Sequence, residues 1–320
     1  MCKRWLSSLR FVAGRGLLFG LTLLLVLAGS SLLVFSLAYL TGDPTTALLP
    51  ADTPPEAVAA FRRQQGLDAP WGVQYGRFLQ RALQGDFGES LRYRQAALPL
   101  VLERLGASVR LFAAALGVAL LVSVPAGLLT ARYHETPLDQ GVRSSILIGQ
   151  ALPPFVVAQL LILLFAVRLQ WLPATGDTSW RGLVLPVLAT SSFSVATLTK
   201  LLRSSALEVL SQDYIRTARA KGVAGRWLLF KHTLRNALLP MLAALSVEVN
   251  SLLAGTAIIE TVFAYPGMGR LIVEAASARD VPLIQAFVSV VTLFVVFVNV
   301  IFEALYRVLD PRLANTPSDV

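Results

Sequence analysis

Apolar residues are gathered along this chain into long blocks rather than alternating with polar ones. Six blocks approach or exceed the roughly 20 residues that carry a helix across hydrocarbon. They fall at about 16–40, 107–129, 144–167, 182–199, 237–259 and 283–305. Each is built from Leu, Val and Ala and is apolar on every side. That pattern is unlike the period-two alternation of a transmembrane β-barrel strand. It predicts an all-α, polytopic membrane protein with six transmembrane helices. Pro125, Pro186 and the pair Pro153-Pro154 lie inside blocks. Kinks are expected there, because proline has no N–H to give the helix. The first block has the charge order of a signal peptide but no convincing small-x-small cleavage site, so it reads as a retained span.

The polar stretches between the blocks have their own pattern. Residues 41–104 make the longest. Within it, Thr53 can cap a short helix, with Pro54 at its first position, Glu56 completing a capping box and Gly66 ending it. A second short helix follows, with Tyr75, Phe78, Leu79 and Leu83 on one side and Arg77 and Arg81 on the other. Its apolar side is expected to rest on the membrane surface or on the spans. Trp171 and Trp180 flank another connection, and tryptophan is enriched at the headgroup level. The chain thus divides into 1–104 (N-terminal segment, first span and long extracytoplasmic region), 105–306 (five spans with a basic segment at 200–236) and a polar tail, 307–320.

Composition sharpens this reading. The chain is 55% hydrophobic and 15% charged, too apolar for an ordinary soluble domain. Its net charge of +9 would suggest nucleic acid in a soluble protein. In a membrane protein the placement of charge matters more. Six spans put both termini on one side. That side carries 16 Lys and Arg against 7 acids, and the other 12 against 11, with Glu248 left inside a span. The positive-inside rule therefore places both termini and the 200–236 segment in the cytoplasm. No nucleic acid is implied. The single cysteine, Cys2, cannot form an internal disulfide, and His134 and His232 lack any metal-ligand spacing. The sequence has no Walker loop and no nucleophile or metal constellation at coherent spacing, so no cofactor or catalytic site is expected in this chain.

The 200–236 segment has eight Lys and Arg. A topology anchor would account for them, but the segment also has internal order. A helix is expected to start near Ser204 or Ser205 and stop at Gly222, with Lys221 in its last turn, where a cation is favoured. A second helix is expected from near Gly225, with Trp227, Phe230 and Leu234 in one apolar stripe. Two helices joined at Gly222 make an elbow suited to docking into another protein. The sequences "DYIRTARAKG" (213–222) and "KHTLRNALLP" (231–240) accompany "GDP" at 42–44, "GDFGESL" at 85–91, "LPLVLERL" at 98–105, "RLQWLPATG" at 168–176 and "ETVFAYPGMGRL" at 260–271. In that order the chain resembles the permease subunits of ATP-binding-cassette importers, in the dipeptide/oligopeptide/nickel (glutathione) branch. That family's general loop motif is kept in part. Ala218 and Gly222 match its second alanine and its glycine, while Arg216 and Thr217 stand where its glutamate and first alanine would be.

The resemblance implies a type I importer permease fold in a bacterial or archaeal plasma membrane. It implies a second permease subunit, two cytoplasmic ATPases that hold ATP and Mg²⁺, and an extracytoplasmic solute-binding protein. Asp213, Tyr214, Arg216, Thr217, Ala218, Arg219, Lys221 and Gly222 would form the coupling helix on the ATPase. Tyr265, Pro266, Gly267, Gly269 and Arg270 would lie at an outer gate or where the binding protein docks. Independently of the resemblance, Glu248, with Asn250 two residues on, is a carboxylate inside a span. It should face the protein interior or a cavity, either bonding another helix or a partner subunit, or lining a translocation path. Peptides are the default solute, with nickel or glutathione as alternatives. A non-transporting membrane scaffold or receptor component is the rival class, for which Glu248 would be irrelevant to solute movement.

Overall fold

In a computed structural model, residues 24–37, 53–65, 68–177 and 179–309 are described. The remainder of the first apolar block, "GDP" at 42–44 and most of the tail lie outside them. The described residues form α1 (Leu24–Leu37), α2 (Pro55–Gln65), α3 (Trp71–Ala82), α4 (Ala97–Arg132), α5 (Pro137–Ala151) and α6 (Pro154–Leu161). Helix α6 runs on through a π-helical stretch, Ile162–Arg168. Then come α7 (Trp180–Leu210), α8 (Asp213–Ala220) and α9 (Gly225–Trp227). A second π-helical stretch, Leu228–Leu234, leads into α10 (Arg235–Val262), followed by α11 (Met268–Ser277) and α12 (Val281–Leu309). Among the described residues the only β-pairing is the single bridge Glu89–Ala96.

Three helices are long and apolar enough to cross a membrane by themselves: α4, α7 and the Val281–Phe302 part of α12. Two bent pairs raise the number to five. The chain is therefore an all-α, polytopic membrane protein with three to five crossings among the described residues. One bent pair is α5 with α6, which meet at 102°. The cause is local. Proline disfavours the helical region for the residue before it, and both Leu152 (ψ 120°) and Pro153 (ψ 140°), each followed by proline, are extended. Two non-helical residues are enough to turn the chain. Pro125, Pro186 and Pro240 instead sit within helices that run through them.

Several boundaries differ from the sequence expectation. Helix α2 begins one residue later, at Pro55, with the Pro54 carbonyl accepting from Val58 N at 3.2 Å. Helix α7 does not stop near Thr199 but continues to Leu210. Nothing between those positions breaks it, and Leu198, Leu202 and Ala206 carry the apolar stripe onward at i, i+4 and i+8, each fully buried. Ser204 and Ser205, expected at a helix start, are therefore interior residues of α7. The expected helix ending at Gly222 is only the eight residues of α8. The stripe expected in the next helix also fails. The π-helical turn directs Leu228, Leu229 and Thr233 inward and leaves Trp227 and Phe230 exposed. Thr233 Oγ1 donates to Leu228 O, five residues back, at 3.1 Å.

The chain has two compact units. In the first, which includes the described residues up to Glu103 and Leu271–Phe297, α3 lies on α1. Phe35 meets Trp71, Tyr75 and Phe78 at ring distances of 5.9, 5.4 and 5.9 Å. Tyr75 Oη donates to Ala28 O at 3.2 Å. The apolar side of α3 thus packs on α1. In the same unit Asp280 opens α12 and holds the 84–96 loop, accepting from Ser90 Oγ at 2.5 Å and Arg92 N at 3.2 Å.

The second unit includes Arg104–Arg270. One core among its described residues joins α4, α7 and α10 through Ala119, Leu128, Leu198, Leu202, Ala237 and Met241. Small residues let the helices close up, the usual device where lipid gives no hydrophobic drive between them. A Cβ added at Gly127 would lie 2.9 Å from Leu202 Cβ, and one at Gly149 would lie 3.2 Å from Ala196 Cβ. Large apolar side chains such as Leu121, Leu147 and Val247 face outward instead.

Replacing Gly127 by valine is expected to destabilise the detergent-solubilised chain by about 1–3 kcal/mol through overpacking against Leu202. Gly117→Val, where an added Cβ meets nothing within 4 Å, serves as control. Thermal unfolding of the two variants measures the difference.

Candidate functional site

Helix α8 is short and carries its charge outward. Gln212 is extended (ψ 148°) and separates it from α7. Ile215 is fully buried and anchors it. Asp213, Tyr214, Arg216, Thr217, Arg219, Lys221 and Gly222 are exposed, and Ala218 is half-buried. Asn236 Nδ2 donates to Tyr214 Oη at 2.9 Å, tying α8 to the start of α10. The Arg216–Asp213 pair at 3.5 Å is open to solvent, and such pairs add little stability. Gly222 ends the element with φ +78°, and an added Cβ there would meet nothing. Glycine is needed for its backbone angle and not for space. The result is a stiff, basic, solvent-facing element at the foot of a 31-residue helix.

Further along α7 lies a cleft of about 320 Å³, including its open mouth. It is lined by Pro154, Thr190, Phe193, Ser194, Glu248, Ser251, Leu252, Gly255 and Ile259. Glu248 is buried and accepts from Ser194 Oγ at 2.5 Å. The carboxylate thus bonds a neighbouring helix and borders a cavity. Asn250 is exposed and absent from the lining, as expected for residues two apart on a helix. The structure does not bring the two together.

The third constellation centres on a residue the sequence reading passed over, Glu260, which is fully buried. Its Oε1 accepts from Ser108 Oγ at 2.6 Å and its Oε2 from Arg270 N at 3.1 Å. The Gly269 N–H also points to this carboxylate. Ser108 Oγ in turn accepts from Met268 N at 2.8 Å. An acid thus caps the N-terminus of α11, where free N–H groups collect. The glycines of "YPGMG" follow from this. A Cβ at Gly267 would fall 2.3 Å from the Glu260 carboxylate, and one at Gly269 would fall 2.4 Å from Ala257 Cα. Tyr265 is fully buried, and its hydroxyl donates to Ala107 O at 3.1 Å. Burial, and then the Glu260 carboxylate, push this phenol above its ordinary range. It therefore stays a neutral donor. Arg270 Nη1 donates to Ala264 O at 2.7 Å. Two glycines facing an acid seven and nine residues earlier were the available signal for Glu260.

These placements meet comparisons that point one way. A family described as binding-protein-dependent transport system inner membrane component matches residues 123–315. The chain belongs to this family and is a permease subunit of an ABC importer. A Brucella suis biovar 1 protein that carries the name of a peptide permease is 39% identical over 315 residues, covering 94% of this chain and 98% of that one. The glutathione transport system permease protein GsiC of Escherichia coli K12 is 34% identical over 284 residues, covering 88% and 93%. Among solved structures, the MetNI methionine ABC transporter in inward-facing conformations matches with a TM-score of 0.54 at 15% identity. That match covers 66% of this chain and 96% of the other and shows a shared fold. The importer class expected from the motifs is thus established, and the subunit's part is transport.

Glu260→Ala is expected to deprive the Ser108 hydroxyl proton and the Arg270 N–H of their carboxylate acceptor, costing about 1–3 kcal/mol for each. Glu260→Gln keeps the shape and one acceptor and should lose less than half as much. Proteolysis of the 260–271 corner in isolated membranes measures both, with the alanine variant cut faster.

Proposed function

We propose that this chain is one of two permease subunits that move dipeptides or oligopeptides inward across the plasma membrane. In this reading it has six spans, because α1 continues an apolar sequence block that runs from about 16 to 40. Both termini and α8 face the cytoplasm, as the charge bias requires. Two ATPase subunits carry ATP and Mg²⁺, a solute-binding protein delivers from outside, and α8 is the coupling helix seated on one ATPase. The observation that carries the proposal is the form of α8: one buried anchor, an outward basic surface and a stop set by Gly222. A topology anchor needs the charges but not the form.

Glu248 and its cleft then border the translocation path. The corner formed by Tyr265, Pro266, Gly267, Gly269 and Arg270 is a stiff outer element beside the gate, with Tyr265 contributing from inside the chain. The peptide permease relative supports peptides as the solute. The GsiC relative supports glutathione, itself a peptide-like molecule, as the second reading. Uptake of labelled dialanine, glutathione and nickel into proteoliposomes, with the binding protein supplied, separates them. Accumulation of dialanine without competition by glutathione supports the first. Glutathione accumulation alone supports the second, and nickel uptake alone contradicts both.

Gly222→Val is expected to strain the end of α8 by about 1–2 kcal/mol, because a β-branched residue resists positive φ. Gly222→Asn, which tolerates that region, should remain near wild type. The valine variant should insert and retain its ATPases, yet move roughly tenfold less solute per ATP. Parallel assays of hydrolysis and uptake measure this, and normal uptake by the valine variant contradicts the role given to α8.

A further inference from the structure

The same unit contains a buried ion pair that neither the family assignment nor the coupling helix accounts for. Arg203 Nε donates to Asp139 Oδ1 and Arg203 Nη2 to Asp139 Oδ2, both at 2.7 Å. The Asp139 side chain is 1% exposed and that of Arg203 16%. Asp139 is held from its own side as well. Glu135 N donates to Oδ2 at 3.1 Å from a residue at φ +63°, and Thr136 caps the helix that Asp139 opens. The carboxylate is therefore fixed before the guanidinium reaches it. A two-pronged bond of this kind sets direction as well as distance.

Its place in the fold gives it a task. Arg203 lies on α7 between the cleft residues Phe193 and Ser194 and the foot that leads to α8. Asp139 lies at the start of α5, which runs antiparallel along α7, as the Gly149–Ala196 approach and the Gln150 Nε2 to Thr197 Oγ1 bond at 3.4 Å show. The far end of α5 turns at Leu152–Pro153 and delivers Pro154 to the cleft wall. Helix α5 is thus a strut of roughly 20 Å. One end is clasped to the stalk of α8 and the other borders the cavity. Between the two ends Gly149 and Ala196 bring the helices close, an added Cβ at Gly149 lying 3.2 Å from Ala196 Cβ. Beside the longer Gln150–Thr197 bond, the clasp is the charged, two-pronged contact described along this pair.

We propose that Asp139 and Arg203 are positioning residues for energy coupling: their ion pair passes displacement of α8 to α5, and so to the cleft wall at Pro154. The proposal rests on the reading of α8 as the coupling helix. Removal of the clasp should leave ATP hydrolysis running while the cleft ceases to respond. Removal of a merely structural bond would lower the amount of assembled importer without changing how each assembled copy responds.

The test uses the complete importer in proteoliposomes, with Cys2 replaced by serine and Phe193→Cys as a reporter at the cleft. The rate of maleimide labelling is compared with and without MgATP and vanadate, alongside ATP hydrolysis per assembled complex. The parent should show an ATP-dependent change in rate. Asp139→Asn should lose it while still hydrolysing ATP, Arg203→Lys should lose part of it, and the exchange Asp139→Arg with Arg203→Asp should regain part of it. An unaltered ATP-dependent change in Asp139→Asn overturns the clasp. If Asp139→Asn does not assemble, Arg203→Lys decides: a full response in that variant overturns the proposal equally. Absence of any ATP-dependent change in the parent overturns the coupling-helix reading, and the clasp with it. If Gly222→Val loses the change but Asp139→Asn keeps it, the clasp alone fails.

Discussion

Hydrocarbon offers no hydrogen bonds, so a chain crossing it must satisfy every backbone group from within. This constraint makes each span a stiff rod and leaves little room for bending at membrane depth. Motion across such a protein has to be carried by whole helices and by the few places where the rule is locally relaxed. Here the relaxed places are specific: the extended pair Leu152–Pro153 between α5 and α6, and the π-helical stretches Ile162–Arg168 and Leu228–Leu234. The continuous element is α7, which runs from the cleft to within two residues of α8. A rod with a short, exposed basic helix at its foot and a cavity beside its upper part is a form suited to transmission.

The same low dielectric governs the buried acids. An unpaired carboxylate in such surroundings is costly. The buried acids described here are each paired with a hydroxyl, a guanidinium or backbone N–H groups. Glu248 has Ser194, Glu260 has Ser108 and the start of α11, Asp139 has Arg203, and Asp280 has Ser90 and the start of α12. Each acid has at least one partner distant in sequence. The acids therefore serve to fix which helices meet and in what register, a better-attested use of buried charge than stability.

Much of this was legible in the sequence, for reasons that also explain what was not. Span location follows from apolar content: three of the blocks lie in single helices long enough to cross, and two more lie in bent pairs. Lengths were less legible, because apolar content marks hydrocarbon and not the helix. Leu198, Leu202 and Ala206 extend α7 well past the last purely apolar residue, since the neighbours of a polar foot can still be buried against protein. The exposed basic surface of α8 and the role of Gly222 were readable from residue type. The π-helical turn was not, because no periodicity rule anticipates a local change from the α-helical to the π-helical bonding pattern. The pairing of Asp139 with Arg203, 64 residues apart, depends on tertiary structure alone. Glu260 was overlooked although its reason for being there is written in Gly267 and Gly269, whose missing side chains make room for it and for α11.

The central claim is that α8 is covered by an ATPase. Placing a photo-crosslinking amino acid at Thr217, an exposed position on α8, in cells that express the whole importer tests it most directly. Mass spectrometry of the adducts identifies what lies against the helix. The account predicts that the dominant adduct is a Walker-motif ATPase, with labelling that changes when ATP is trapped by vanadate. Adducts confined to lipid, or to membrane proteins without a Walker motif, would contradict it and return the basic segment to the role of a charge anchor.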